Sequence, residues 1–274
     1  MKTIVLGAGF IGGKISEKFG FALVGEKIRS KEDVERIFER EKPETVINCI
    51  GKVGRPNVDW CETHKRETFF SNATVPLWLA EECQKTKAKF VHLGTGCIYE
   101  GDNGGKGFSE EDAPNFYGSF YSRTKAMIEE LLKEYENVLQ LRLRMPIDSI
   151  PSERNLITKL ANNKKQISVP NSMTVVDDFL YALEKLLEKN CTGVYNVVNP
   201  EPITHRQIIE MYQKVVDKEK KVEYITTQEL DQMLPAKRSN CVLSTKKLES
   251  EGIQLRHTLE AVEDCMKKYK EAMK

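Results

Sequence analysis

Tyr121 and Lys125 stand four residues apart in Tyr121-Ser122-Arg123-Thr124-Lys125, so on a helix the phenol and the ammonium share one face. A free tyrosine releases its proton near pH 10, and a proton-transferring tyrosine therefore needs a positive charge close by. Lys125 supplies that charge. The spacing alone recurs among ordinary surface pairs, but a third polar group accompanies it. Leu93-Gly94-Thr95-Gly96-Cys97-Ile98-Tyr99 sets a threonine at the carboxyl end of an apolar run, where ligands bind in parallel sheets. Thr95 and Tyr121 can then donate to one carbonyl oxygen, which is the oxyanion arrangement a ketone reduction needs.

Such a reduction needs a hydride source, and a second motif points to one. Gly7-Ala8-Gly9-Phe10-Ile11-Gly12 follows the first apolar run and opens a helical pattern, the context of a dinucleotide-binding loop. Gly7 permits a tight turn, Gly9 lets backbone approach a pyrophosphate, and Gly12 lets helix and strand pack closely; Phe10 and Ile11 complete the loop's cofactor contacts. The phosphate charge sits on the helix N-terminus. A further run, residues 22–24, ends in Gly25-Glu26-Lys27-Ile28-Arg29. Glu26 suits a ribose 2′-hydroxyl, whereas Lys27 or Arg29 suits a 2′-phosphate, and the balance leans to NADPH with NADH tolerated. Asn48 and Gly51, closing another run, are expected on the adenosine and ribose side, and Met145 near the nicotinamide.

These groups need a frame. Short apolar runs at 3–6, 45–50, 90–93 and 138–143 alternate with amphipathic stretches at 31–40, 73–85 and 122–135, the pattern of βαβ units on a parallel sheet. The expected fold is α/β, a doubly wound Rossmann sheet with a smaller C-terminal substrate domain. After Pro146, prolines punctuate shorter elements, although 179–188 and 193–198 look like one more helix and strand returning to the sheet. A dinucleotide-binding domain at 1–148, completed by 175–198, and a substrate domain mainly at 149–274 follow.

Bulk composition narrows the partners. Among 274 residues, 42 lysines and arginines balance 41 aspartates and glutamates, which argues against a nucleic-acid footprint or attraction to anionic membrane. No apolar run is long enough to span a bilayer, and the opening residues leave no room for a signal peptide's apolar stretch. The seven cysteines are scattered and never form C-x-x-C, which suggests reduced thiols in the cytoplasm. His64, His92, His205 and His257 lack metal-ligand spacing, so no metal is expected and these residues read as structural or exposed.

With its glycine loop, Thr95, Tyr-x-x-x-Lys and variable C-terminal half, the chain resembles the extended short-chain dehydrogenase/reductases. More specific stretches are Gly54-Arg55-Pro56-Asn57-Val58-Asp59-Trp60-Cys61-Glu62, Thr95-Gly96-Cys97-Ile98-Tyr99, Pro114-Asn115-Phe116-Tyr117-Gly118-Ser119-Phe120-Tyr121-Ser122 and Val169-Pro170-Asn171-Ser172-Met173-Thr174-Val175. These resemble, nearly end to end, the plant-type nucleotide-rhamnose synthases, bifunctional 3,5-epimerase/4-reductases acting on a UDP- or dTDP-linked 4-keto-6-deoxyglucose. Ala236-Lys237-Arg238-Ser239-Asn240 resembles the substrate-domain segment of bacterial dTDP-4-dehydrorhamnose reductases.

The resemblance implies roles for two more residues. A C4 ketone acidifies the hydrogens on C3 and C5, and inversion needs groups to remove each proton and return one on the opposite face. GDP-fucose synthases have Ser-Ser-Cys-Ile-Tyr where this chain has Thr-Gly-Cys-Ile-Tyr, which implies that Cys97 is an acid/base group. Their partner histidine has no counterpart between residues 148 and 163; Asn155-Leu156-Ile157-Thr158-Lys159 instead resembles the rhamnose-family motif that carries a lysine, Lys159. Asn171 and Arg238 are expected on the nucleotide and diphosphate, Arg55 and Ser119 on the sugar. A reductase without epimerase activity and a non-catalytic nucleotide-binding subunit are the rival readings. The choice between UDP and dTDP stays open, as does the oligomeric state, a homodimer included.

Overall fold

Apolar runs bounded by glycines or charged turns become the strands of one sheet. In the computed structural model, which describes residues 2–274, these are β1 (Thr3–Leu6), β2 (Ala22–Val24), β3 (Thr45–Asn48), β4 (Lys89–Thr95), β5 (Val138–Leu143) and β6 (Gly193–Asn196). Their spatial order is β2-β1-β3-β4-β5-β6, with β1 pairing in parallel with both β2 and β3, and β3 with β4. The order reverses between β1 and β3, so the loops leaving these two strands border the crevice where ligands of such sheets bind. Every residue of β3 and β5 is buried, as expected of strands covered on both faces. This is the doubly wound α/β sheet that the alternating pattern implies.

The connecting helices are α1 (Phe10–Phe19), α2 (Lys31–Glu41), α3 (Asp59–Thr63), α4 (Lys65–Phe69), α5 (Val75–Thr86) and α6 (Phe120–Leu132). A helix starting at 73 is expected from periodicity, yet the helical path begins earlier and passes from α4 to α5 through a π turn at Phe70–Thr74. Pro76 has no N–H to return to residue 72, so the chain widens there.

Two compact units make up the chain. The first comprises residues up to Ile98, Phe116–Arg142 and Lys189–Tyr195; the second comprises Tyr99–Asn115, Leu143–Glu188 and Asn196–Lys274. The sequence alone suggests a division at 148 with a return over 175–198. Residues 99–115 join the second unit, where Gly101 and Phe108 bridge to Cys241 and Leu243. The returning helix, α8 (Val176–Glu188) after α7 (Leu156–Asn162), also stays there, because Asp178 on α8 accepts two hydrogen bonds from Arg256, at 2.9 and 3.0 Å. The core of the second unit gathers Ile157 and Leu160 of α7, Ile208 and Ile209 of α9 (His205–Val215), and Val262 and Met266 of α10 (Thr258–Ala272).

In the first unit, Ile4 and Leu6 of β1, Ile37 and Phe38 of α2, Leu79 of α5 and Ile128 and Leu132 of α6 form one core. A buried ion pair ties α6 to β5: Arg142 Nη2 and Nε donate to the Glu129 carboxylate at 2.7 and 3.0 Å, with side chains 0% and 3% exposed. Removing Glu129 strands a buried guanidinium. Glu129→Ala is expected to lower stability by about 3–5 kcal/mol, read by denaturant titration; a loss under about 1 kcal/mol would mean that Arg142 finds other partners.

Candidate active site

At the end of β1 the chain turns into α1 with Gly9 at the N-cap, no side chain bonded to the cap and no acidic residue in the first turn. The first-turn N–H groups are thereby left for an anion. Gly7 has φ +100°, and a Cβ there would lie 2.9 Å from the Cys49 carbonyl carbon; on Gly12 it would lie 2.0 Å from the Gly7 carbonyl oxygen. On Gly9 it would meet nothing within 4 Å. Gly7 and Gly12 therefore let backbone segments close on one another, while a Cβ at Gly9 would intrude on the open surface of the cradle. The cradle fits a dinucleotide pyrophosphate. Gly9→Ala is expected to fold normally yet bind NADPH at least about tenfold more weakly, a loss of about 1.4 kcal/mol. Calorimetric binding equal to the parent would contradict that placement.

In the loop after β2, Glu26 accepts a hydrogen bond from Arg40 Nη1 at 2.8 Å. With Glu26 engaged, the exposed Lys27 and Arg29 are the groups suited to a 2′-phosphate.

The side chains expected to handle protons lie on β4 and α6. Ser119 caps α6, its hydroxyl oxygen accepting from the Ser122 N–H at 3.0 Å, and Glu62 of α3 accepts from the Phe120 N–H at 2.5 Å. This fixed start presents Tyr121 and Lys125 one turn apart, 8% and 6% exposed. Thr95 at the end of β4 is 6% exposed, and its oxygen accepts from the Cys97 N–H at 3.1 Å, so its own hydrogen can be donated to a ligand. Lys125 Nζ donates to the Leu93 carbonyl at 2.7 Å and lies 3.2 Å from His92 Nε2. Burial pulls the lysine down to about 8, against the opposing influence of Glu129 and of the Cys97 and Cys49 thiols.

Cys97 differs from the packing cysteines. Cys61, Cys83, Cys241 and Cys265 are buried, and burial pushes Cys49 and Cys265 up to about 12, so both remain thiols at neutral pH. Cys97 is half-buried in the loop after β4, beside Thr95 and within electrostatic reach of Lys125. Its side chain is not sealed in the apolar interior.

Within the second unit, Lys159 is half-buried on α7, whose start is capped by Asn155 accepting from the Ile157 N–H at 3.1 Å. Arg238 is half-buried and donates to the Ala236 carbonyl at 2.6 Å. Met145, half-buried just after β5, takes φ +43°, a conformation that costs a β-carbon residue on the order of 1 kcal/mol and is typical of functional sites. In the first unit, Gly51 and Arg55 are exposed.

Three expected contacts turn inward instead. The side chain of Asn48 is 0% exposed and held by the Ile50 N–H and His92; Ser119 is 2% exposed and engaged as the cap of α6. Asn171 is 0% exposed, accepting from Arg144 Nη2 at 2.7 Å and from the Cys241 N–H at 3.0 Å. Each is polar, and a sequence does not distinguish a polar side chain that meets a ligand from one that satisfies buried backbone.

The family model described as RmlD substrate binding domain matches residues 18–271. The chain belongs to this family. Among its relatives, a bifunctional dTDP-4-dehydrorhamnose 3,5-epimerase/dTDP-4-dehydrorhamnose reductase of Arabidopsis thaliana is 43% identical over 90% of this chain and 86% of that protein. A trifunctional UDP-glucose 4,6-dehydratase/UDP-4-keto-6-deoxy-D-glucose 3,5-epimerase/UDP-4-keto-L-rhamnose-reductase of the same plant is 42% identical, and the chain spans 40% of its length. Among solved structures, the L780 UDP-rhamnose synthase of Acanthamoeba polyphaga mimivirus superposes with a TM-score of 0.91 at 32% identity, covering 97% of this chain and 99% of that one.

Three further buried polar residues, each within its own unit, escape sequence reasoning. His92, read as structural, abuts Lys125; its one signal is an imidazole interrupting the apolar run Phe90-Val91-His92-Leu93. Asn72, in the π turn, grips the Lys52 backbone through both amide atoms, at 2.7 and 2.9 Å, and so fixes the loop after β3. Arg144 is 2% exposed and anchors Asn171. Nothing in the local spacing marks the last two.

Proposed function

We propose that this chain converts a UDP- or dTDP-linked 4-keto-6-deoxyglucose to the L-rhamnose nucleotide by 3,5-epimerisation followed by NADPH-dependent 4-reduction. What supports the reading is that Thr95 ends β4 beside a half-buried Cys97, while α6 carries the buried Tyr121 and, within electrostatic reach of that thiol, Lys125. Thr95 and Tyr121 donate to the C4 oxygen and stabilise the enolate that forms when a C3 or C5 proton leaves. Cys97 and Lys159 exchange those protons, a pairing supported by the kinship to bifunctional and trifunctional relatives. Bound NADPH supplies the hydride that C4 receives. Tyr121 then gives its proton to the new alkoxide, and Lys125 returns one to Tyr121.

Arg238 serves the diphosphate, since a guanidinium fork matches phosphate oxygens. The seven cysteines are thiols and not disulfides, which fits work in the reducing cytoplasm. Incubation of purified protein and NADPH with each 4-keto nucleotide, followed by NMR of the product, tests the reading. The expected product is the L-rhamnose nucleotide with stoichiometric oxidation of NADPH; oxidation without an L-configured sugar, or none with either nucleotide, would overturn it.

A further inference from the structure

In parallel register, Asn48 on β3 lies directly opposite His92 on β4, and α6 lays Lys125 over the imidazole. The three side chains are 0%, 1% and 6% exposed, so water does not relax the way their hydrogens must be arranged. At one end of this chain the Ile50 N–H donates to Asn48 Oδ1 at 3.0 Å, which fixes the amide so that Nδ2 faces His92 Nδ1, also at 3.0 Å. Nδ1 must therefore accept. A neutral imidazole with an accepting Nδ1 carries its hydrogen on Nε2, and that hydrogen points at Lys125 Nζ, 3.2 Å away.

The far end sets how tightly the lysine holds its proton. An ammonium offers three hydrogens and no lone pair, so it would confront Nε2–H donor to donor. A neutral amine accepts from Nε2–H and still donates to the Leu93 carbonyl at 2.7 Å, leaving every member of the chain satisfied. Protonating the imidazole offers no way out, since burial and the lysine's charge both hold His92 well below its ordinary value.

We propose that His92, locked by Asn48 in the tautomer with hydrogen on Nε2, is a positioning residue whose Nε2–H stabilises the deprotonated form of Lys125, so that the ammonium beside Tyr121 gives up its proton more readily. The effect adds to burial. The titratable groups facing Lys125 are His92, Glu129 one turn along α6, Cys97 after β4 and Cys49 after β3, and the last three favour the ammonium. Together these influences give a lysine that exchanges its proton near neutrality, as a proton shuttle requires. The inference rests on reading Lys125 as the group that serves Tyr121, but its test needs no turnover.

Nitrogen NMR of protein labelled at histidine and lysine reads it directly. In the parent, His92 Nε2 is expected to be the protonated nitrogen and Nδ1 the bare one. In Asn48→Asp a carboxylate accepts from Nδ1–H, so the tautomer inverts and the Lys125 midpoint rises by about two units. The alkaline limb of the pH–rate profile should move up with it. His92→Phe, which adds no charge, should also raise the midpoint, whereas a mere packing role for the ring would leave or lower it. Hydrogen on Nδ1 in the parent, or a Lys125 midpoint in His92→Phe within about half a unit of the parent's or below it, would overturn the proposal. Absence of ketone reduction alongside the expected tautomer would instead count against the proposed function.

Discussion

Tyr121→Phe is expected to reduce the ketone about 10²- to 10⁴-fold more slowly than the parent, the contribution of one positioned general acid. The ring stays and only the donor goes, so the substrate should bind nearly as before and the loss should fall on kcat. Thr95 remains to donate to the C4 oxygen, which is why residual activity is expected instead of complete silence. Single-turnover NADPH oxidation at saturating substrate measures it, with circular dichroism to show that the fold is kept. A rate within about tenfold of the parent would place the proton donor elsewhere and contradict the assignment drawn from Tyr121, Lys125 and Thr95.

Cys97→Ser separates the two reactions. A serine hydroxyl is about as large as the thiol but far less acidic, so proton exchange at the carbon it serves should slow by about 10²- to 10⁴-fold. Reduction of a ketone that has already been epimerised should change by less than about tenfold, because the hydride and the alkoxide proton do not pass through residue 97. Equal loss in both assays would mean that the thiol shapes the site and exchanges no proton. No loss in either would leave a reductase alone, with Cys97 as packing.

Much of the frame was legible because its causes are local. The run 3–6 and the loop Gly7-Ala8-Gly9-Phe10-Ile11-Gly12 specify a strand, a turn and a helix start from residue types alone, and β1 and α1 begin and end accordingly. The i, i+4 relation of Tyr121 and Lys125 likewise needs only a helix, which Ser119 and Glu62 start at Phe120. What escaped depends on pairing between distant segments. The opposition of Asn48 and His92 follows from the register of β3 on β4, 44 positions apart in sequence, and no local pattern encodes it. Arg144 with Asn171, and Arg256 with α8, are similar cases, in which an isolated polar residue becomes intelligible only once its partner is brought alongside. The second of these ties α8 to the segment before α10 in the second unit.

Solvent exchange reads the two-step chemistry most directly. The full chain is incubated in deuterated water with the 4-keto nucleotide sugar and oxidised cofactor, so that no hydride is available, and the sugar is recovered for NMR. Deuterium at both C3 and C5, lost from C5 or C3 when Cys97 or Lys159 is replaced, is the expected result. Substrate returned with both positions still protiated, under conditions where the same preparation reduces an epimerised ketone, would contradict the account.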